Sequence, residues 1–168
     1  MTDTAQIQLN ESVPPFTLEA TSDNKVSESD LLGHHTVLYF YPKDNTPDCT
    51  TEGLDFTAAY NDFKALNTKI YGISRDAIRK HENFKAKYQF PFELISDPDE
   101  ILCKLFDVIK LKKNYGKTYL DIERSTFLID PQGKLIQAWR KVKPSFNVFK
   151  TGIANDLVDE SIGFTDIA

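Results

Sequence analysis

The sequence predicts an α/β fold with a central mixed sheet flanked by helices. Three observations predict it. Short β-prone apolar runs alternate with stretches of helical periodicity along most of the chain. Two of those runs, residues 36–41 and 69–74, are almost wholly apolar, as expected of strands buried on both faces of a sheet. The last two runs, 124–129 and 135–139, are joined by Asp130-Pro131-Gln132-Gly133, turn chemistry that sends the chain back antiparallel and makes the sheet mixed.

The elements follow in order. Residues 1–12 read as a loose polar lead-in, and 13–168 as one domain. Residues 16–20 and a short stretch around Val26 form a hairpin, separated by the turn-forming Thr21-Ser22-Asp23-Asn24. After the strand at 36–41, residues 50–66 have helical spacing. Leu54, Ala58, Phe63 and Leu66 fall along one face, with Phe56 and Tyr60 beside it. The strand at 69–74 precedes a helix over 76–88, whose apolar minority is Ile78, Phe84 and Tyr88. A short strand at 92–95 and a short helix at 98–106 follow. The basic run 110–117 reads as a mobile loop, and residues 147–160 as a closing helix.

Composition bounds the function. The chain carries 20 Lys and Arg against 25 Asp and Glu, a net charge of −5, which disfavours a sequence-independent nucleic-acid binder. No apolar window is long enough to cross a bilayer. Residues 1–10 lack the basic start and apolar stretch of a secretory signal. Two cysteines do not make a disulfide framework, so a reducing cytoplasm is the expected setting. Neither Cys-x-x-Cys nor a phosphate-cradling glycine loop is present, and no motif requires flavin, haem or metal. His34, His35 and His81 are scattered and are expected on loop or helix surfaces.

Cys49 stands out by placement. It follows an apolar strand, Pro42 and a polar loop, and it opens a helical stretch. Unpaired N–H groups and the positive end of a helix dipole stabilise a thiolate there, the form of cysteine that attacks electrophiles. The same placement also suits a small hydrophobe that merely precedes a helix. Thr46, three residues earlier, offers a hydroxyl able to donate and accept. Pro42 shapes the loop and can screen the sulfur from water. Arg124 opens a strand otherwise bound for the core, so its fixed charge calls for a partner. Glu52, in the first turn after Cys49, is either that partner or a solvated helix-start glutamate.

The spacing Pro42-x-x-x-Thr46-x-x-Cys49 lies within Tyr39–Gly53 as YFYPKDNTPDCTTEG, a stretch that resembles the active-site segment of peroxiredoxins, most closely the bacterioferritin comigratory protein (Q-type) group. Two later segments agree, in the same order. One is Ser96-Asp97-Pro98-Asp99 ahead of Cys103; the other runs from Tyr115-Gly116-Lys117-Thr118-Tyr119 into Ile122 to Asp130. The resemblance spans about residues 13–143. It implies a thioredoxin-like fold with an N-terminal β-hairpin extension, as the element order allows. It also implies a thiol-dependent peroxidase: Cys49 as the nucleophile that becomes a sulfenic acid, Pro42 and Thr46 framing it, Arg124 as the active-site arginine, and no cofactor. The expected partners are a peroxide and a reducing thiol, either a small thiol or a thioredoxin or glutaredoxin, and the expected state is a monomer.

The chain departs from that group in its second thiol. Many members carry a resolving cysteine five residues after the nucleophile, where this chain has Leu54; others carry it in the helix over 76–88, which has none here. Cys103 is the only other thiol. It is expected on the apolar face of its short helix, beside Leu102, Leu105 and Phe106, with a role as a resolving cysteine as the alternative. The sequence therefore favours a one-cysteine cycle with an external thiol. A peroxide-sensing relay that passes oxidation to a partner protein shares the first step. A non-catalytic binding module would have no need for Pro42, Thr46, Cys49 and Arg124 together. Pro144-Ser145-Phe146 replaces the group's glycine-containing continuation before the closing helix.

Overall fold

The structure, a computed structural model, describes residues 6–144. A hairpin of β1 (Thr17–Ala20) and β2 (Asn24–Ser27) opens the chain, in the register Leu18 opposite Val26. Strands β3 (His35–Phe40), β4 (Thr68–Ser74) and β5 (Glu93–Ser96) run parallel. Their crossovers carry α1 (Pro47–Ala58), α2 (Tyr60–Ala65) and α3 (Ile78–Tyr88). The short helix α4 (Ile101–Leu105) leads to a separate two-stranded ribbon, β6 (Ile109–Asn114) and β7 (Lys117–Ile122). Antiparallel β8 (Ser125–Ile129) and β9 (Leu135–Trp139) complete a seven-stranded sheet in the order β2-β1-β5-β4-β3-β8-β9. This is the mixed sheet with an N-terminal hairpin that the sequence predicts.

Side-chain alternation along β3 divides the interior into two cores. Leu38 and Phe40 point to one face, with Ile73, Leu102, Cys103, Phe106 and Phe127. Val37, Tyr39 and Tyr41 point to the other, with Cys49, Phe56, Phe63, Phe84 and Phe92. The helices that carry the two cysteines therefore cover opposite faces of the sheet.

Several expectations need correction. The helix over 50–66 is broken at Ala59, whose N–H is shared between the carbonyls of Asp55 and Phe56 at 3.3 and 3.2 Å. Thr57 Oγ1 donates to the Gly53 carbonyl one turn back, a bond that bends helices. The buried face of α1 consists of Cys49, Glu52, Gly53 and Phe56, while Leu54 is exposed. The basic run 110–117 is not a loop: it is most of the β6–β7 hairpin, turned at Tyr115 and Gly116, both at positive φ. Arg75 anchors that hairpin, with Nη2 2.6 Å from Asp121 Oδ1 and Nη1 3.1 Å from Glu100 Oε2. His35 and His81 are buried rather than on the surface. Gln6 to Ser12 are docked: Ile7 is buried, its N–H donates to the Leu105 carbonyl at 3.0 Å, and Ser12 bridges to Lys134. The closing helix expected at 147–160 lies outside the described residues.

Candidate active site

Cys49 is the third residue of α1, after Pro47, whose fixed φ suits a first helical position. Gly53 lets the helix sit low on the sheet. A Cβ there would lie 2.6 Å from the Phe90 ring, so a larger residue would have to displace that ring. Cys49 itself is 2 % exposed.

β8 brings in the second component. It pairs antiparallel with β3, Ser125 facing Phe40, so Arg124 emerges at the sheet end where β3 gives way to the Cys49 loop. The Arg124 carbonyl accepts from the Val142 N–H at 2.9 Å, which fixes the backbone there. Its guanidinium then makes two bonds on α1: Nη2 donates to Cys49 Sγ at 3.3 Å and Nη1 to Glu52 Oε1 at 2.6 Å. Glu52 lies one turn beyond Cys49 on the same face, which is why one planar fork can serve both.

The charges in this cluster are tuned by burial. Loss of solvent pushes the Glu52 carboxyl up to about 8, although Arg124 pulls it back. Burial alone would lower Arg124; the opposed Glu52 and Cys49 outweigh it, and the guanidinium is held above its usual value. Arg124 thus remains the fixed cation beside the sulfur while Glu52 is able to take up a proton near neutrality.

Of the residues singled out in the sequence, the structure joins Cys49, Glu52 and Arg124 directly. Thr46 is the residue before α1, and its hydroxyl donates to the Lys43 carbonyl at 2.8 Å, closing the loop. Pro42 is half-buried where β3 ends. Cys103 is fully buried on the other face of the sheet. Burial and its hydrogen bond with Asp97 push its thiol far above the ordinary range, so it stays protonated. Both cysteines are free thiols.

The sequence reading missed the buried polar groups behind the loop. Asp44 accepts from Tyr41 Oη at 2.6 Å and pairs with His81 Nδ1 at 2.6 Å, and its N–H donates to Asp76 Oδ2 at 2.8 Å. His81 had a legible signal: it lies three residues from both Ile78 and Phe84, on the buried stripe of α3.

A thiol held at a helix start, beside a partly buried arginine on a thioredoxin-like sheet, defines the class: a thiol-dependent peroxidase. Comparison with known proteins agrees. The AhpC/TSA family model matches residues 9–138. A peroxiredoxin Bcp of Xanthomonas campestris is 60% identical over 111 residues, 66% of this chain and 69% of that protein. A peroxiredoxin Bcp of Bacillus subtilis is 49% identical over 137 residues, 82% of this chain and 87% of that protein. A structure of the X. campestris bacterioferritin comigratory protein, studied for its alkyl peroxide reduction activity, superposes with a TM-score of 0.80 at 44% identity, covering 94% of this chain and 99% of that one. The chain belongs to the AhpC/TSA family, and it is a peroxiredoxin. Among the described residues, no helix is long and apolar enough to cross a membrane.

Proposed function

We propose that Cys49 is the peroxide-reducing nucleophile, and that Arg124, Thr46 and Pro42 serve its reaction. The Arg124 fork, bonded at once to Cys49 Sγ and Glu52, is the observation that carries this reading. The thiolate sulfur attacks one peroxide oxygen. The S–O bond forms as the O–O bond breaks, the sulfur is oxidised to the sulfenic acid, and the departing oxygen takes a proton as water or an alcohol. Arg124 and the first N–H groups of α1 face the negative charge that moves onto the oxygens. Thr46 offers its hydroxyl to the bound peroxide once it leaves the Lys43 carbonyl, and Pro42 limits water at the sulfur. Small organic hydroperoxides fit this scheme as well as hydrogen peroxide does, in line with the activity for which the X. campestris protein has been studied.

We further propose a one-cysteine cycle. Cys103 lies in the core on the opposite face of the sheet and is held as a thiol, so a disulfide with Cys49 would require local unfolding around the cysteines to bring them within bonding reach. An external thiol attacks the sulfenic sulfur, forming a mixed disulfide and releasing water, and a second thiol frees Cys49. A small thiol, a glutaredoxin or a thioredoxin can fill this role. The cavity beside Arg124, about 480 Å³, is lined by Lys110, Lys112, Lys113 and Lys141 against Glu123, with Lys110 and Lys112 paired to Asp107 and Asp121; the remaining positive excess favours an anionic reductant. Two free buried thiols suit a reducing cytoplasm, and a monomer is the state we assign. The test is peroxide consumption with a reductant: Cys49→Ser should abolish it, whereas Cys103→Ser should sustain turnover. Loss of turnover in Cys103→Ser, with its first oxidation intact, would assign resolution to Cys103.

A further inference from the structure

Behind the Cys49 loop lies a buried polar pair outside the peroxide chemistry. Asp44 sits between Pro42 and Thr46, and His81 on the inner face of α3; both are under 5 % exposed. The His81 ring is 2.6 Å from Asp44 Oδ2 through Nδ1 and 2.9 Å from the Ile95 carbonyl through Nε2. A carbonyl only accepts. Asp44 Oδ1 already accepts from the Tyr41 hydroxyl. A neutral imidazole has one N–H, so beside an ionised Asp44 it would leave one nitrogen pressed against an acceptor with no proton between them. Satisfying all three bonds takes one more proton, either on the ring or on the Asp44 carboxyl.

The pair ties the loop to the scaffold. Tyr41 directly follows β3, Ile95 belongs to β5 and His81 to α3, so Asp44 connects the loop to the end of β3 and to two further elements. The Asp44 N–H donates to Asp76, which also accepts from Ser74 Oγ and lies 3.2 Å from Lys80 Nζ. Asn45 Oδ1 adds contacts to Lys87 and Tyr88. Thr46 and Cys49 follow within five residues of Asp44. Cys49 is almost fully buried, so an external thiol can reach its oxidised sulfur only if this loop opens.

We propose that the buried Asp44–His81 pair, sharing one proton, is a positioning clamp that holds the Cys49 loop in its peroxide-reactive arrangement. The clamp favours the peroxide step, which needs Thr46 and the start of α1 in place, and opposes the thiol step, which needs them displaced. It rests on the reading of Cys49 as nucleophile, and its variants should move the two half-reactions in opposite directions.

Asp44→Asn discriminates this from a purely structural role. Its amide can donate to a neutral His81 Nδ1 and accept from Tyr41, keeping every bond with one proton fewer. Asp44→Ala leaves both partners unsatisfied. Leaving such buried groups unpaired shifts a loop equilibrium by about tenfold or more. The experiment combines ring-nitrogen NMR of His81, amide hydrogen exchange over residues 43–50, and stopped-flow rates of both half-reactions. In the parent protein, Nε2 should carry a proton and a second proton should lie between Nδ1 and Asp44; in Asp44→Asn, the ring should be neutral. Asp44→Ala should exchange about tenfold faster in the loop, react with peroxide about tenfold more slowly and be re-reduced faster, while Asp44→Asn stays within about threefold of the parent. An unprotonated Nε2 in the parent protein would overturn the proposal, with no variant required. So would Asp44→Ala slowing both half-reactions alike, or Asp44→Asn being as impaired as Asp44→Ala. A parent protein inert to peroxide would instead remove the peroxidatic role of Cys49, leaving the NMR result to judge the clamp.

Discussion

Arg124 is bonded to a sulfur and a carboxylate from a position 11 % exposed, and removing its guanidinium affects both. Arg124→Met takes away a preorganised donor aimed at the reacting atoms and should slow Cys49 oxidation by about 10²-fold, read as single-turnover rates with hydrogen peroxide. A rate within a few-fold of the parent would make Arg124 structural. Glu52 gives a pH signature. Its carboxyl rises on folding from 4.5 to about 8, so between those values the folded chain binds more protons than the unfolded one. Stability contributed by this group is therefore present below about 4.5 and is lost as pH rises towards 8. Glu52→Gln should flatten that part of the Tm-against-pH curve; an unchanged slope would mean the carboxyl is ionised throughout. The meeting of Cys49 and Arg124 was legible through the Pro42-Thr46-Cys49 resemblance; as local features, a cysteine at a helix start and a charge opening an apolar strand left plainer readings open. Asp44 was not legible, because an aspartate in a polar loop is ordinary until a buried histidine from α3 faces it.

Helix α1 shows how an element places a site. The spacing of residues 50–66 predicted a helix with Leu54, Ala58, Phe63 and Leu66 on its apolar face; the structure buries Phe63 but exposes Leu54 and Ala58, and α1 instead buries Cys49, Glu52, Gly53 and Phe56. Glu52 and Gly53 hid this face: a buried acid pairs with a strand far along the chain, and a glycine shows no apolar side chain. Gly53→Ala puts a methyl 2.6 Å from the Phe90 ring and should cost about 1–3 kcal/mol by overpacking. Because it lifts α1 from the sheet, the same change should slow the peroxide step; thermal denaturation and single-turnover rates check both, and a neutral result in each would show that Phe90 yields freely. The β6–β7 hairpin escaped the sequence reading because its turn, Tyr115-Gly116, lacks the usual Asn or Asp and its strands are rich in lysine.

Across the whole molecule, the sheet acts as a partition. That the sheet is mixed was legible from alternating runs and the Asp130-Pro131-Gln132-Gly133 turn, because burial on both faces leaves a continuous apolar signature; the strand order was not. Which face each helix covers was not legible, since crossover geometry decides that, and it is what separates Cys49 from Cys103. The proposed one-cysteine cycle rests on that separation. Intact mass after one equivalent of hydrogen peroxide, without reductant, is the first experiment to perform. The predicted product gains one oxygen atom, trapped as a sulfenic-acid adduct on Cys49, with Cys103 still a free thiol. A loss of two hydrogens within a single chain would mean a Cys49–Cys103 disulfide and contradict the one-cysteine proposal, and an unchanged mass in fully reduced protein would remove Cys49 from the chemistry altogether.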